Sequence, residues 1–264
     1  MGTELDYIRK PIRRLRKSLK DMPVDPPVKA VHELRTCARR LQAIVPAVMP
    51  GKKLTRRLLK SLKPVRKLAG GVRDMDVLVA KVLSLTHGRG DAPATQLVEH
   101  LVATRMELAR DLHDAVAKDD KRARRNLKRF SKQIDRELAS PGTQPNTRLV
   151  AEELIAELDL WPSLSRDNLH GFRIKVKELR SVPQLVQDVD PKLERTLGKV
   201  KDRIGDWHDW HQLAGIAQNL LDRHEDQTAL MKIESIGAKK LEQALRASGT
   251  LRTLLFARRS EITA

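Results

Sequence analysis

The 264-residue chain is poor in aromatic residues and has one cysteine, and each shortage excludes a class of protein. Aromatic residues make up 3% of the sequence, so stacking platforms for unpaired nucleic-acid bases are scarce. The single cysteine, Cys37, cannot form an internal disulfide, which fits a reducing compartment. We therefore expect neither a reader of single-stranded nucleic acid nor a disulfide-stapled secreted protein.

Long apolar runs are also missing. No stretch approaches the roughly 20 residues that a membrane-spanning helix requires. Cations begin at Arg9 and continue through Lys17 with no apolar core behind them, so no secretory signal is predicted. Strand-like alternation between hairpin turns is absent, and the stretches between Gly- and Pro-rich segments have helical periodicity. The sequence predicts an all-α, cytoplasmic protein.

Acidic residues are few relative to basic ones. The chain has 34 Asp plus Glu against 52 Lys plus Arg, which gives a formal net charge of +18 at pH 7. Such an excess predicts a polyanionic partner, namely nucleic acid, an acidic membrane or a phosphate polymer. Hydrophobic residues still make up 40% of the chain, enough to bury a core. We expect a folded basic protein.

One basic pattern occurs twice. A histidine is followed by cations three and seven residues later, and these positions share one face of an α-helix. The two copies, called here the first and second stripes, are His32, Arg35, Arg39 and Arg40, and then His170, Arg173, Lys177 and Arg180. Apolar residues lie on the opposite side of both helices, so each helix is predicted to bury one face. Since that face is needed for the core, no membrane binding is expected.

The match continues beyond each stripe at a constant offset. In the first copy the aligned positions are Arg57, Leu58, Lys60, Leu62, Val65, Arg66, Gly70, Asp74 and Leu78; in the second they are Lys192, Leu193, Arg195, Leu197, Val200, Lys201, Gly205, Asp209 and Leu213. Because cationic and apolar positions both recur, we infer an internal duplication. It predicts two helical bundle halves, 1–139 and 147–264, joined by a Pro- and Gly-containing linker at 140–146.

Four sequence blocks, in this order, resemble the CHAD family, the conserved histidine α-helical domain. They are V-H-E-L-R-T-C-A-R-R-L at 31–41, G-G-V-R-D-M-D-V at 70–77, L-H-G-F-R-I-K-V-K-E-L-R at 169–180 and I-G-D-W-H-D-W at 204–210. The resemblance covers nearly the whole chain as a single CHAD domain. It implies two pseudo-twofold-related four-helix bundles around a basic central pore. It also implies that the ligand is inorganic polyphosphate and that the protein is located on polyphosphate granules.

The recurring cations are the candidate residues for binding polyphosphate. This polymer carries about one negative charge per unit and no bases, so its site needs dense cations with few directional demands. The candidates are His32, Arg35, Arg39, Arg40, Arg57, Lys60, Arg66, Arg73, His170, Arg173, Lys177, Arg180, Lys192, Arg195 and Lys201. For any single cation, a solvated helix face is the alternative interpretation, and recurrence in both copies favours binding. No cofactor, metal or catalytic residue is expected.

Acids lie inside the basic blocks. Asp74 and Asp76 follow a glycine pair in the first copy, and Asp206 and Asp209 follow Gly205 in the second. A helix break is expected at these glycines, with the acids capping a new helix. The aligned pair, Asp74 and Asp209, is also predicted to support the site by holding arginine side chains behind the cationic wall.

A metal-dependent phosphohydrolase is one alternative function. The His-Asp dipeptide at 208–209 is typical of helical enzymes of that class, with His170 upstream and Asp222 or Asp226 downstream as further ligands. His211, three residues further on, could share a zinc ion with the dipeptide's histidine. The residue aligned with that histidine in the first copy is Arg73, which cannot ligate a metal, so a binding protein is favoured over an enzyme.

Non-specific nucleic-acid binding is the stronger alternative. Nine cations lie between residues 118 and 136, and a helix of this kind could lie along a duplex backbone: Lys118, Lys121, Arg122, Arg124, Arg125, Lys128, Arg129, Lys132 and Arg136. A solvated, charge-rich outer helix is the other interpretation of this segment. No sequence-reading motif is present, so any binding to nucleic acid should be weak, non-specific and sensitive to salt.

Overall fold

The computed structural model describes residues 2–20, 22–49, 51–85, 91–138, 147–180, 191–222 and 224–263. These residues form eight α-helices and no strand, which confirms the all-α prediction. In chain order they are α1 (Gly2–Lys20), α2 (Val28–Val48), α3 (Lys53–Leu85), α4 (Ala92–Leu138), α5 (Thr147–Asp159), α6 (Leu169–Leu179), α7 (Pro191–Leu220) and α8 (Gln227–Thr263). Within the described ranges, none of these helices has the length and hydropathy of a membrane span.

The chain divides into two compact units. The first comprises Met1–Val77 with His100–Asn146, and the second comprises Leu78–Glu99 with Thr147–Ala264. The end of α3 and the beginning of α4 therefore pack with the second unit, whereas the division predicted from the repeat follows chain order. The predicted linker at 140–146 lies outside the described residues, so that division stays a prediction.

The core of the first unit is built from inward faces of α1 to α4. Apolar residues recur every three or four positions along each helix, so one side of each is buried. Wholly or almost wholly buried members include Leu15, Leu34, Leu41, Leu58, Leu62, Val65, Leu112, Leu127 and Phe130. Cys37 lies in this core, and burial, together with the nearby Glu33, raises the pKa of its thiol. The cysteine is thus a small apolar packing residue beneath the first stripe.

The core of the second unit repeats this arrangement with α5 to α8. Its buried members include Leu158, Leu169, Phe172, Val176, Leu197, Val200, Ile204, Trp207 and Leu251. Trp161 meets the ring of Phe172 edge to face, with centroids 5.7 Å apart. The apolar positions aligned between the two sequence copies are therefore buried in both units.

The helix breaks expected at Gly70–Gly71 and Gly205 are wrong. Both α3 and α7 continue through these glycines. A Cβ on Gly71 would lie 3.2 Å from Leu108 Cδ1, and a Cβ on Gly205 would lie 2.7 Å from Arg173 Nη2. These two glycines allow neighbouring side chains to approach the helix backbone closely. Their role is in packing, and neither forms a turn. The acids after them lie inside helices and cap no helix start: Asp74, Asp76, Asp206 and Asp209.

Candidate functional site

The two stripes have the same exposure pattern in their own units. On α2 and on α6 the histidine is exposed, and the cations three and seven residues later are half-buried: His32, Arg35 and Arg39, then His170, Arg173 and Lys177. The apolar residues around them are buried in both helices: Val31, Leu34 and Ala38, then Leu169, Phe172 and Val176. Arg40 is exposed, whereas Arg180 is half-buried and its guanidinium lies against Gly198.

The aligned cations of α3 and α7 also agree in exposure. Arg57, Lys60, Lys192 and Arg195 are exposed, while Arg66 and Lys201 are half-buried. On a helix that rises about 1.5 Å per residue, the candidates from Arg57 to Arg73 extend over about 24 Å. The corresponding positions from Lys192 to His208 cover the same length. The candidates of each helix thus extend along its length, but at 100° per residue Arg57 and Lys60 lie roughly 120–180° around α3 from Arg66 and Arg73, and the aligned residues of α7 repeat this division.

Arg35 connects the first stripe to α3. Its Nη2 lies 3.6 Å from Asp74 Oδ1, and its side chain is 20% exposed. Its Nε is buried and has no hydrogen-bond acceptor among the residues that the structure describes. Asp74 itself is more open, with 42% of its side chain exposed. The first stripe therefore contains a guanidinium held between two helices by a partly exposed carboxylate.

Asp76 is the most deeply buried carboxylate of this region, with 4% of its side chain exposed. Arg105 Nε on α4 donates to Asp76 Oδ1 at 2.8 Å, and Arg73 Nη1 lies 3.9 Å from Asp76 Oδ2. The same Arg105 also donates to Asp25 Oδ1 and to the Pro26 carbonyl, both at 2.7 Å. These hydrogen bonds tie the segment before α2 to α3 and α4, and Arg73 lies beside them at ion-pair distance from Asp76. Sequence reasoning missed Arg105 because it lies outside the repeated blocks.

Arg173 of the second stripe has different neighbours from its counterpart, Arg35. Its Nε donates to the Lys201 carbonyl on α7 at 3.2 Å. Its guanidinium lies over Gly205, where the absence of a side chain makes room for it. A Cβ on Gly70, the aligned glycine, would have no atom within 4 Å. The repeat therefore preserves the position of the cation but not its local contacts.

His208 occupies the position that Arg73 has in the first copy. Its ring faces that of His170, with centroids 4.8 Å apart. Burial, together with the positive neighbours His170, Arg173 and His211, lowers the pKa of His208 to about 4. The imidazole is thus neutral near pH 7, so the second unit has a titratable group where the first has a permanent cation.

His211 completes a basic and aromatic cluster on α7. Its ring stacks on Trp207, with centroids 5.8 Å apart and planes 1° from parallel. Arg166 Nη2 lies 3.1 Å from His211 Nδ1. Burial and the Arg166 charge both lower the pKa of His211. His208 and His211, suggested as joint zinc ligands, both lie beside the ring of Trp207, with centroids 6.4 Å and 5.8 Å away.

Asp206 joins three helices of the second unit. Lys81 on α3 pairs with Asp206 Oδ1 at 2.5 Å, and Lys240 on α8 pairs with Oδ2 at 2.8 Å. Burial alone would raise the pKa of Asp206, but the hydrogen bonds from Lys240 and Lys81 outweigh it and lower that pKa. Lys81 also lies over the ring of Trp210, 4.9 Å from its centroid. Asp209, the acid aligned with Asp74, is half-buried within α7.

The acids suggested as downstream metal ligands shape a turn before α8. Asp222 Oδ1 accepts hydrogen bonds from the backbone N–H groups of His224 and Glu225, which lower the pKa of Asp222. Asp226 Oδ2 accepts a hydrogen bond from the Asp222 backbone N–H. In the part of the chain that the structure describes, no group of three or more His, Cys, Asp or Glu is arranged to hold a metal ion.

The family model of the CHAD domain matches residues 6–160, more than half of the chain. The chain belongs to the CHAD family. This confirms the family assignment made from the four blocks, and the matched region contains the first stripe and all of α3. No curated protein and no solved structure matches this CHAD protein at a significant level.

Proposed function

We propose that this CHAD protein binds inorganic polyphosphate through the cations of both stripes and the aligned positions of α3 and α7. The observation that carries the proposal is the recurrence of half-buried cations at equivalent places in two units, at Arg35, Arg39 and Arg66 and at Arg173, Lys177 and Lys201. Two of these cations have carboxylate partners within the protein, Asp74 for Arg35 at 3.6 Å and Asp202 for Lys201 at 2.8 Å, so the support for the proposal is the recurrence of the cations in both units. Membership of the CHAD family supports a polyphosphate-related function.

The chemistry of the candidates suits a flexible phosphate polymer. Arginine presents a fork that matches two phosphate oxygens, and lysine supplies a mobile point charge. Neutralising successive phosphates releases counterions, which contributes a favourable entropy. The spread of cations over about 24 Å of α3 and of α7 favours a long, flexible ligand over a single small phosphate ester.

The proposal includes the architecture that the family resemblance implies. The two units would be pseudo-twofold-related four-helix bundles whose stripes line one basic central pore. The protein would act in the cytoplasm without catalysis, at polyphosphate granules. Phosphate release after adding divalent cations to protein and polyphosphate should therefore be absent, and its appearance would favour the phosphohydrolase alternative.

Calorimetric titration with polyphosphate of defined length tests the shared site. One variant removes two cations of the first unit, Arg39→Gln with Arg57→Gln, and another removes two of the second unit, Lys177→Gln with Lys192→Gln. Each should weaken binding about tenfold or more at fixed salt, because each loses two charge-assisted contacts. A matched control, Lys67→Gln with Lys199→Gln, loses two exposed charges outside the candidate set and should stay within about twofold.

The pattern of losses decides the outcome. If both unit variants weaken one binding event of fixed stoichiometry, the two stripes share a ligand. If the second-unit variant binds as tightly as the unmodified protein, the shared pore is wrong. If the control loses as much affinity as the unit variants, binding depends on net charge alone and the assigned site is wrong.

A further inference from the structure

The second half of α4 has a row of cations outside the candidate polyphosphate site. Six residues of this row are exposed: Lys118, Lys121, Arg125, Lys128, Arg129 and Lys132. At 100° and 1.5 Å per residue they lie within an arc of about 100° and extend over about 21 Å. The buried residues of the same stretch lie on the opposite side of the helix: Ala123, Leu127, Phe130 and Ile134. The row therefore points away from the core of the first unit.

A matching row lies on α1. Four exposed cations recur with the same spacing of three, four and three residues: Lys10, Arg13, Lys17 and Lys20. They lie within an arc of about 80° on the side opposite the buried Ile12, Leu15 and Leu19. This helix, like α4, thus keeps an apolar side for the core and presents a continuous cationic side outward.

Two contacts show that α1 lies antiparallel beside this half of α4. Arg9 Nη2 donates to Asp135 Oδ1 at 2.8 Å near the start of α1, and His113 Nδ1 lies 3.1 Å from the Met22 carbonyl oxygen just beyond its end. Viewed from the N-terminus of either helix and in the same rotational sense, the buried side comes first, then the side with the contact residue, and then the cationic row. The contact residues are Arg9 on α1 and Asp135 on α4. Because the helices are antiparallel, this order brings both rows to the same outer side of the pair. We call this surface the α1–α4 face.

The α1–α4 face keeps its charge. None of its ten cations forms an ion pair among the side chains that the structure describes. Of the nearby carboxylates, Asp135 pairs with Arg9 and Asp120 with Arg124, the latter at 2.7 Å, while the exposed Asp114 lies one turn before Lys118 on the same side of α4. Among the side chains that the structure describes, the large exposed apolar residues all lie outside both rows, which favours a charged partner over a lipid surface.

We propose that the α1–α4 face binds double-stranded nucleic acid through its phosphate backbone. The axes of packed helices lie about 8–10 Å apart, so the face presents two neighbouring rows of cations. A duplex carries two phosphate strands and one charge per about 1.7 Å of axis, or about a dozen charges over the length of the rows. A single flexible polyphosphate chain would need only one row. With no aromatic side chain in either row, binding should be independent of sequence.

Fluorescence anisotropy with a labelled DNA duplex over a range of salt concentrations tests this proposal on the full chain. The row variant carries Lys121→Gln, Arg125→Gln, Lys128→Gln and Lys132→Gln, which are exposed positions replaced by a good helix former. Its control loses the same charge from exposed positions outside both surfaces, through Lys53→Gln, Lys67→Gln, Lys199→Gln and Lys239→Gln. Circular dichroism verifies that both variants remain folded.

The row variant should bind the duplex at least tenfold more weakly than the control, and its log–log salt slope should be shallower by about three to four. Its affinity for short polyphosphate should stay within twofold, because the four substituted cations lie outside the candidate polyphosphate residues. This proposal does not depend on the polyphosphate proposal. Equal duplex binding by the row variant and the control would overturn the assignment. So would an equal loss of polyphosphate affinity, which would make the face a polyphosphate surface. If the row variant loses binding only to anionic lipid vesicles, the face would be assigned to membranes instead.

Discussion

At the residue scale, the exchange of Arg73 for His208 distinguishes the two copies most clearly. Arg73 lies 3.9 Å from a buried carboxylate, whereas His208 lies against His170 in an environment that disfavours its protonation. The sequence alignment exposes this substitution. It could not show the low pKa, because the causes are burial and contacts with α6, which local sequence does not encode.

The His208 pKa predicts a pH dependence of stability. The folded pKa of about 4 lies below the ordinary value of 6.5, so the unfolded chain binds more protons between these two values. The free energy of unfolding should therefore fall as pH decreases from 6.5 to 4, by about 2 kcal/mol from this residue after allowance for partial exposure. The contribution is fully present above pH 6.5.

Urea unfolding at several pH values checks this expectation. The difference in unfolding free energy between the unmodified protein and His208→Asn isolates the histidine, since all other groups titrate in both. That difference should change between pH 6.5 and 4 and stay constant from pH 7 to 8. A difference that is constant over the whole range would contradict the assignment of a depressed pKa.

The two carboxylates of the first copy should differ in their importance for stability. Asp76→Ala leaves Arg105 and Arg73 without their buried partner, so it should lower the free energy of unfolding by about 3 kcal/mol. Asp74→Ala removes a partly exposed carboxylate and should cost under about 1 kcal/mol. Chemical denaturation of both variants checks this, and equal losses would contradict the described network.

At the element scale, helix faces were predictable and helix continuity was not. The apolar spacing of α2 and α6 identifies the buried side of each helix, because burial follows the helical period directly. Gly70 and Gly205 suggested turns, since glycine weakens helices in isolation. The folded helices continue through them because tertiary packing outweighs that local preference. The partners Arg105 and Lys240 were missed because they come from helices distant in sequence from the residues that they contact.

The aligned glycines should respond differently to alanine. Gly70→Ala adds a methyl group into open space within a helix, so it should raise the free energy of unfolding by about 0.5–1 kcal/mol and leave polyphosphate affinity unchanged. Gly205→Ala places its methyl group against the Arg173 guanidinium, which must move off α7. This variant should bind polyphosphate several-fold more weakly while remaining folded.

Thermal unfolding and calorimetric titration of the two alanine variants separate these effects. Loss of affinity in Gly205→Ala with an unfolding temperature close to that of the unmodified protein indicates displacement of a binding side chain. Unchanged affinity in that variant would contradict the role of Arg173 as a ligand contact.

At the scale of the whole molecule, which has a net charge of +18, two groups of cations can be distinguished by their exposure and by their recurrence. The stripes contain half-buried cations that recur in both units, while the α1–α4 face contains exposed cations of the first unit alone. Composition could predict a polyanionic partner, and the repeat could predict which cations belong together. The sequence also identified the basic segment at 118–136, but it could not combine that segment with the cations of α1, because this depends on how α1 and α4 pack.

A crystal structure of the protein with polyphosphate of defined length tests the central claim most directly. The account predicts one continuous phosphate chain whose oxygens contact Arg35 and Arg39 on the first stripe and Arg173 and Lys177 on the second. Phosphates bound to one stripe alone, or only along the α1–α4 face, would contradict it.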